Sequence, residues 1–187
     1  MILGVTGTNG AGKGTVVDYL VEHKGFTHFS VRDLIVEEVI ERGLELNRTN
    51  IGATGTNLRR ENEPHYFVKT FLARAKEQGI ENMVIESIRA VAEEQYLKEH
   101  GGFVVAVDAP RELRYERIVG RGSVTDKVTF EEFCAQEDKE YTAEDPNDPT
   151  QMNFKAVMDG ADYTISNDGS HMEFREKMEE MLGALTA

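Results

Sequence analysis

The chain has 187 residues, a formal net charge of −13, and 40% hydrophobic and 29% charged residues. These values fit one domain with a full hydrophobic core, and the excess of carboxylates excludes a broad nucleic-acid surface, which needs clustered Lys and Arg. No segment has the length and apolar character of a membrane span, and no signal sequence precedes the first strand, so we expect a cytoplasmic protein. The one cysteine, Cys134, leaves no internal disulfide to form.

The N-terminal residues have the pattern of a strand, a glycine-rich loop and a helix. The apolar run from Met1 to Thr6 predicts the strand, and residues 7–15 match the spacing G-x-x-x-x-G-K. Glycines at this spacing let successive backbone N–H groups point inward, where they and the N-terminus of the next helix can bind a triphosphate. We therefore predict a nucleotide-binding loop formed by Gly7, Thr8, Asn9, Gly10, Ala11, Gly12, Lys13, Gly14 and Thr15.

Two side chains of this loop have predicted chemical roles. Lys13 would reach the outer phosphates of the nucleotide. Gly14 stands where a Ser or Thr usually follows the lysine, so Thr15 would supply the hydroxyl on the magnesium side, directly or through a water.

The rest of the chain alternates between predicted strands and predicted helices. The strands are 26–30, 82–86, 103–108 and 161–166. The helices are 13–23, 31–42, 57–61, 63–78, 90–99, one that starts at Pro110, the acidic segment 130–140, and 171–185; residues 44–55 are polar and turn-rich, and 167–170 form a turn. This order predicts an α/β fold, a three-layer sandwich around a five-stranded parallel sheet. We expect one domain over 1–187, with an insertion at about 31–78 and a lid at about 122–149.

Charged residues follow the second and third strands, at the sheet edge where open α/β folds bind ligands. Arg32 and Asp33 come after the second strand, and Glu86 and Arg89 come after the third. Glu86 could orient magnesium-bound water or accept a proton from an acceptor hydroxyl, and Arg89 could hold an acceptor phosphate. Alternatively, this pair only caps the next helix.

Two further groups of arginines each have two interpretations. One group lies in the insertion and consists of Arg48, Arg59 and Arg60. They are either solvated surface charges or part of a cap that binds an acceptor phosphate through bidentate contacts. Three more recur on one helix face: Arg114, Arg117 and Arg121. They form either a salt-bridged surface or a clamp on nucleotide phosphates. The five histidines lack metal-ligand spacing and are expected at the surface or in packing.

The glycine-rich loop, Ser-Val-Arg-Asp-Leu at 30–34 and Arg-Ile-Val-Gly-Arg at 117–121 together resemble the nucleoside monophosphate kinases, adenylate kinase especially. Further motifs lie at 85–89, 107–110, 130–133, 145–147 and 161–169. With these the chain resembles more closely the adenylate-kinase-like domain fused to deoxycytidylate deaminases, and also stand-alone proteins that are similar to dephospho-CoA kinase.

The resemblance implies the fold of the P-loop-containing nucleoside triphosphate hydrolases. It also implies transfer of the terminal phosphoryl group of ATP, with Mg²⁺, to a small nucleotide-like acceptor. On the matching positions we expect catalysis by Lys13, Arg117, Arg121 and Glu86. We expect acceptor binding by Arg32, Asp33, Arg59 and Arg89. We expect magnesium binding by Thr15 and Glu86.

The sequence departs from the family at several positions. Arg32 replaces a usual glycine, Val36 replaces an acceptor-binding arginine, and no arginine lies between Arg121 and Arg175. Adenylate kinase activity itself is therefore not expected. Three functions stay open: a ribo- or deoxynucleoside monophosphate kinase, which we favour; a dephospho-CoA-type kinase that would use Glu86 as the base; and a nucleotide-sensing module without turnover. The expected partner is a small-molecule acceptor, with no nucleic acid and no membrane, and the oligomeric state is open.

Overall fold

The computed structural model describes residues 1–122, 128–145 and 147–186. Within these residues five parallel strands form one sheet in the order β2-β3-β1-β4-β5. The strands are β1 (Ile2–Thr6), β2 (Thr27–Ser30), β3 (Met83–Glu86), β4 (Phe103–Asp108) and β5 (Tyr163–Ser166). The helices are α1 (Lys13–Lys24), α2 (Val31–Glu41), α3 (Arg48–Glu61), α4 (Tyr66–Glu77), α5 (Val91–Glu99), α6 (Arg111–Arg121), α7 (Phe130–Tyr141), α8 (Phe154–Gly160) and α9 (His171–Thr186). The predicted α/β fold with a five-stranded parallel sheet is confirmed.

The central position of β1 places the glycine-rich loop beside the end of β3. β1 pairs with β3 on one side and β4 on the other, so that Val5 lies opposite both Glu86 and Val105. The central strands are apolar because helices cover both faces of a parallel sheet. The carboxyl ends of β1 and β3 therefore meet at one edge, which is where ligands bind in this type of fold.

Each face of the sheet has its own hydrophobic core. On one face α1 and α9 contribute residues such as Leu20 and Phe174 to the core. On the other face α2, α3, α4, α5 and α8 contribute residues such as Ile35, Phe67 and Leu97. Burial of these side chains drives the packing of the three layers, at roughly 1.5–3 kcal/mol for each large apolar side chain.

Residues 48–55 are helical, although their glycines and polar residues predict turns. The side chain of Asn47 accepts a hydrogen bond of 2.9 Å from the backbone N–H of Asn50, which caps α3 at its start. A Cβ added to Gly55 would lie 2.8 Å from Cδ1 of Ile35 on α2. This glycine is therefore present because α2 and α3 pack closely, and the turn prediction is wrong.

A second difference is α8, for which the sequence analysis predicts no element. Asn153 caps it by accepting a hydrogen bond of 3.1 Å from the N–H of Ala156, and Phe154 and Val157 are buried. Of the lid predicted at about 122–149, residues 123–127 and 146 lie outside the described residues, whereas 130–141 form the expected acidic helix. Among the residues that the structure describes, no helix is both long and apolar enough to span a bilayer.

Candidate active site

The glycine-rich loop makes tight backbone turns between β1 and α1. Gly7, Gly10 and Gly12 have φ angles of 136°, 80° and 107°, which residues with a side chain rarely adopt. A Cβ on Gly7 would lie 2.2 Å from the carbonyl oxygen of Val107, and one on Gly10 would lie 2.5 Å from that of Arg114. Only glycine fits these positions, and the result is a cradle of backbone that leads into the N-terminus of α1, as phosphate binding requires.

Lys13 lies at the start of α1 and folds back over the loop. Its Nζ donates hydrogen bonds of 2.9 Å to the carbonyl oxygens of both Gly7 and Thr8. Burial, together with the positive charges of Arg89 and Arg121, lowers the pKa of Lys13 to about 7. A bound phosphate would favour the ammonium form by direct charge pairing. Binding of an anion beside Lys13 would therefore raise its pKa.

A cleft of about 380 Å³, which we call the loop cleft, opens in front of the glycine-rich loop. Its lining includes Lys13, Thr15, Asp18, Glu86 and Arg117. Hydroxyl and carboxylate oxygens suit Mg²⁺, which usually binds to one or two carboxylates together with nucleotide phosphates. Thr15 and Glu86 therefore fit a nucleotide-bound magnesium, whereas the described part of the chain holds no cluster of three or more Asp, Glu, His or Cys that could bind a metal alone.

Asn167, which follows β5, supports the loop from the far end of the chain. Its Nδ2 donates a hydrogen bond of 2.8 Å to the carbonyl oxygen of Ala11. Its own carbonyl oxygen accepts one of 3.0 Å from Nη2 of Arg117. A Cβ on Gly12 would lie 2.2 Å from this Nδ2. The sequence indicates only a turn at 167–170, because no local spacing connects Asn167 to the loop.

The three arginines of α6 have different environments. Arg114 is buried and donates through both terminal nitrogens to the carboxylate of Glu137 on α7, the second of these bonds at 3.0 Å. Arg117 contacts Asn167, as described above, and Nη2 of Arg121 donates a hydrogen bond of 3.3 Å to Oδ1 of Asn9. The structure thus brings Arg117 and Arg121 to the loop. Arg114 joins α6 to α7, and its Nη1 also donates a hydrogen bond of 3.4 Å to the carbonyl oxygen of Asn9 in the loop.

Glu86 ends β3 beside the loop and contacts a histidine of the edge strand. Its Oε2 lies 3.1 Å from Nε2 of His28. Burial tends to raise the pKa of Glu86, but the hydrogen bond with His28 and the charge of Lys13 outweigh it, so that the pKa lies below its usual value. The same contact raises the pKa of His28. The sequence gives no sign of this pair, because nothing in it states that β2 lies next to β3.

A second cleft, of about 330 Å³, lies on the other side of Glu86, and we call it the arginine cleft. Besides Lys13 and Arg121, three cations line it from separate elements: Arg32 from the start of α2, Arg48 from the start of α3, and Arg89 from the loop after β3. The guanidinium of Arg89 lies 5.0 Å from the ring centre of Phe154 on α8, which holds the side chain from one side. The site therefore gathers positive charge in a protein that is strongly acidic.

Glu140 of α7 neutralises part of this charge. Its carboxylate accepts a hydrogen bond of 2.7 Å from Nε of Arg48 and lies 3.6 Å from Nη1 of Arg89. Burial tends to raise the pKa of Glu140, but the two arginines outweigh burial and lower it. Glu140 therefore occupies the position in which an anionic ligand would pair with these two arginines.

Ser87 also lines the arginine cleft, in a strained backbone conformation. Its φ is 75°, although it has a side chain. Its N–H donates a hydrogen bond of 2.9 Å to the carbonyl oxygen of Val5, which holds the turn in place. Strain of this kind costs roughly 1–3 kcal/mol and is concentrated at functional sites.

Two of the residues predicted to bind an acceptor lie outside this open space. Arg59 is buried, and its Nε donates a hydrogen bond of 2.8 Å to Oε1 of Glu93. Oε2 of Glu93 accepts hydrogen bonds of 3.1 Å from the N–H groups of Arg89 and Ala90. Arg59 therefore supports the loop that carries Arg89. Asp33 is exposed on the first turn of α2 and is not among the residues that line either cleft.

A phosphate-binding loop after the first strand and a second, cationic cleft at the same sheet edge are found in kinase-like P-loop NTPases, and this chain has their fold. The chain belongs to the AAA domain family, whose model matches residues 3–142, and to the UPF0200 proteins. It is 30% identical to the UPF0200 protein of Thermococcus kodakarensis over 97% of this chain and 96% of that protein. It is 28% identical to a UPF0200 protein of Methanococcus maripaludis over 95% and 93%.

Solved structures show the same fold. TT1252 from Thermus thermophilus has a TM-score of 0.63 at 22% identity, and the match covers 100% of this chain and 98% of that one. Shikimate kinase from Acinetobacter baumannii in complex with shikimate has a TM-score of 0.61 at 17% identity, over 99% and 92%. At these identities the likeness concerns the fold alone.

Proposed function

We propose that the protein is an ATP- and Mg²⁺-dependent phosphotransferase whose acceptor is a small nucleotide. The acceptor that we favour is a ribo- or deoxynucleoside monophosphate. The observation that carries this proposal is that the two clefts meet. Asn9, Lys13, Glu86 and Arg121 line both of them. A phosphoryl group that leaves a donor in the loop cleft would therefore face an acceptor in the arginine cleft, with two cations between them.

The charge of the arginine cleft supports an anionic acceptor. Arg32, Arg48 and Arg89 converge there while the whole protein carries a net charge of −13. Guanidinium groups bind phosphate in a bidentate manner, and they repel one another without an anion. In this proposal Arg32 and Arg89 bind the acceptor phosphate. Arg59 acts by holding the loop that carries Arg89. Asp33, which is exposed, would act only at the rim of the arginine cleft.

The space beyond the arginine cleft supports an acceptor larger than a phosphate. A cleft of about 540 Å³ continues between α3 and α7 and shares Arg48 and Glu140 with the arginine cleft. Uncharged polar side chains are among those that line it: Thr56, Asn57 and Gln151. Its volume suits the sugar and base of a nucleotide. Here the segment 31–78 serves as the acceptor-binding insertion, and α7 belongs to the lid at 122–149.

The proposed mechanism relies on alignment and charge neutralisation, as phosphoryl transfer does in general. Lys13 and the N–H groups of the loop bind the outer phosphates, and Arg117 and Arg121 stabilise the charge that develops during transfer. Thr15 and Glu86 would hold a magnesium ion, which would neutralise further charge on the phosphates.

The state of Glu86 favours a phosphate acceptor over a hydroxyl acceptor. A general base works best when its pKa is near the operating pH, and the pKa of Glu86 is lowered. A phosphate oxyanion needs no base, whereas the ribose hydroxyl used by a dephospho-CoA-type kinase would. This supports the favoured activity over its first alternative. The second alternative, nucleotide sensing, predicts binding without turnover.

The test is ADP formation from ATP and Mg²⁺ with a panel of ribo- and deoxynucleoside monophosphates, nucleosides and dephospho-CoA. We expect a monophosphate to stimulate ADP formation, Lys13→Ala to abolish the stimulation, and Lys76→Ala, which changes an exposed lysine of α4, to leave it intact. Turnover of only dephospho-CoA or a nucleoside would contradict the proposal. So would ATP binding without turnover of any acceptor.

A further inference from the structure

The contact between His28 and Glu86 has no part in the mechanism above. His28 lies on the edge strand β2, and its Nε2 is 3.1 Å from Oε2 of Glu86. One carboxylate oxygen of Glu86 is thus in contact with an imidazole nitrogen, while Glu86 also lines the loop cleft.

We propose that His28 is a positioning residue that donates its Nε2–H to Oε2 of Glu86 and thereby orients Oε1 toward a nucleotide-bound magnesium ion. The inference rests on the proposed function, in which Glu86 is a magnesium ligand. Carboxylates that bind metals are commonly oriented by a hydrogen bond from a neighbouring group, and loss of that group typically weakens metal binding 10- to 100-fold.

A partner of the Glu86 carboxylate would restrict the conformational freedom of that side chain. Its backbone is already fixed, because the next residue, Ser87, has a φ of 75° and donates its N–H to Val5. The side chain still has three rotatable bonds, and each ordered rotor loses entropy. His28 fixes the remaining freedom from the neighbouring strand.

His28 can act as a donor whether or not it is charged. A neutral imidazole with its proton on Nε2 already makes the bond, so the proposed role needs no change in protonation.

The test compares His28→Leu, which removes the donor, with His28→Gln, which keeps an N–H donor. The dissociation constant of ADP is measured by calorimetry with and without Mg²⁺. The value without Mg²⁺ divided by the value with Mg²⁺, which we call the magnesium ratio, reports how much magnesium strengthens binding. We expect His28→Leu to reduce this ratio about tenfold or more without changing the affinity for metal-free ADP. We expect His28→Gln to stay within about threefold of the wild type, and His171→Leu, which changes an exposed histidine of α9, to have no effect.

A double-mutant cycle separates positioning from damage to the fold. In the Glu86→Gln background, His28→Leu should have no further effect on the magnesium ratio, and the thermal midpoints of all variants show whether they are folded. An unchanged ratio in folded His28→Leu, or an equal loss of affinity with and without Mg²⁺, would overturn the role of His28. Failure of the proposed function would look different, because no acceptor would be turned over although the magnesium ratio behaved as expected.

Discussion

The buried ion pair between Arg59 and Glu93 allows a quantitative test of how the loop that carries Arg89 is held in place. The two side chains are 1% and 0% exposed, and Nε and Oε1 are 2.8 Å apart. Arg59→Met keeps most of the apolar stem but leaves the carboxylate of Glu93 buried with only its two backbone N–H partners. Removing one member of a buried pair destabilises a protein by about 3–5 kcal/mol. For a domain of this size ~1 kcal/mol shifts the midpoint by about 2–4 °C, so we expect a loss of about 6–20 °C.

The next residue along the helix supplies the matched control. Arg60 is 52% exposed and pairs with Asp148 at 2.7 Å, an ion pair at the surface that is worth ~1 kcal/mol or less. Thermal and urea unfolding of Arg59→Met and Arg60→Met should therefore differ by several kcal/mol. Adding Glu93→Gln to Arg59→Met removes the stranded charge and should restore most of the lost stability.

Two results would refute this reasoning. If Arg59→Met were as stable as Arg60→Met, Glu93 would not be a buried charge that depends on Arg59. If Arg59→Met kept its stability but raised the KM for the acceptor, then Arg59 would bind the acceptor directly, as the sequence alone predicts.

Three further predictions concern the two clefts. Mg·ADP should bind more weakly as the pH rises above 7, by about tenfold per pH unit, because ligand-free Lys13 has a pKa of about 7 and must be protonated to pair with phosphate. Calorimetry in buffers of different ionisation enthalpy should show uptake of about one proton at pH 8, and a flat profile would contradict it. Glu140→Gln removes the carboxylate that would compete with the acceptor for Arg48 and Arg89. Steady-state kinetics should give an acceptor KM about fivefold lower, equivalent to ~1 kcal/mol; a higher KM would refute the competition. Gly12→Ala should weaken nucleotide binding about 10- to 100-fold, because its Cβ meets Asn167 and its φ is 107°. Gly14→Ala meets nothing within 4 Å and should bind normally; equal effects in a fluorescence titration would count against the loop geometry.

The parts of the fold that were predictable are those that neighbouring residues determine. The spacing of Gly7, Gly10 and Gly12 directly encodes a loop that only glycine can form. The apolar run 103–108 became β4 with the predicted bounds, because a strand buried on both faces has a continuous hydrophobic sequence. Local patterns of this kind need no knowledge of the rest of the chain.

The errors arose where a local signal had a tertiary cause. Gly55 indicates a turn when its neighbours alone are considered, yet it lies in a helix whose partner, Ile35, leaves no room for a larger residue. The helical spacing of Arg114 and Arg117 correctly places both on one helix. It cannot show that Arg114 meets Glu137 of a later helix while Arg117 meets Asn167.

The location of the candidate site was predictable from the sequence, but the contacts within it were not. Lys13, Glu86 and Arg89 were expected at the sheet edge because residues after parallel strands collect there. The contact of Glu86 with His28 depends on β2 being the neighbour of β3 in the sheet. Neither the periodicity nor the composition of the chain contains this order.

Helix α7 carries Glu137 and Glu140 one turn apart, and each forms an ion pair with an arginine of a different element. Glu137 pairs with Arg114, whose Nη1 also donates to the carbonyl oxygen of Asn9 in the glycine-rich loop at 3.4 Å. Glu140 pairs with Arg48 in the arginine cleft. If the proposed donor and acceptor both displace α7 when they bind, each would change the affinity of the other, and thermodynamic linkage would make the factor the same in both directions. Donor and acceptor would then bind as one cooperative event rather than as two independent ones.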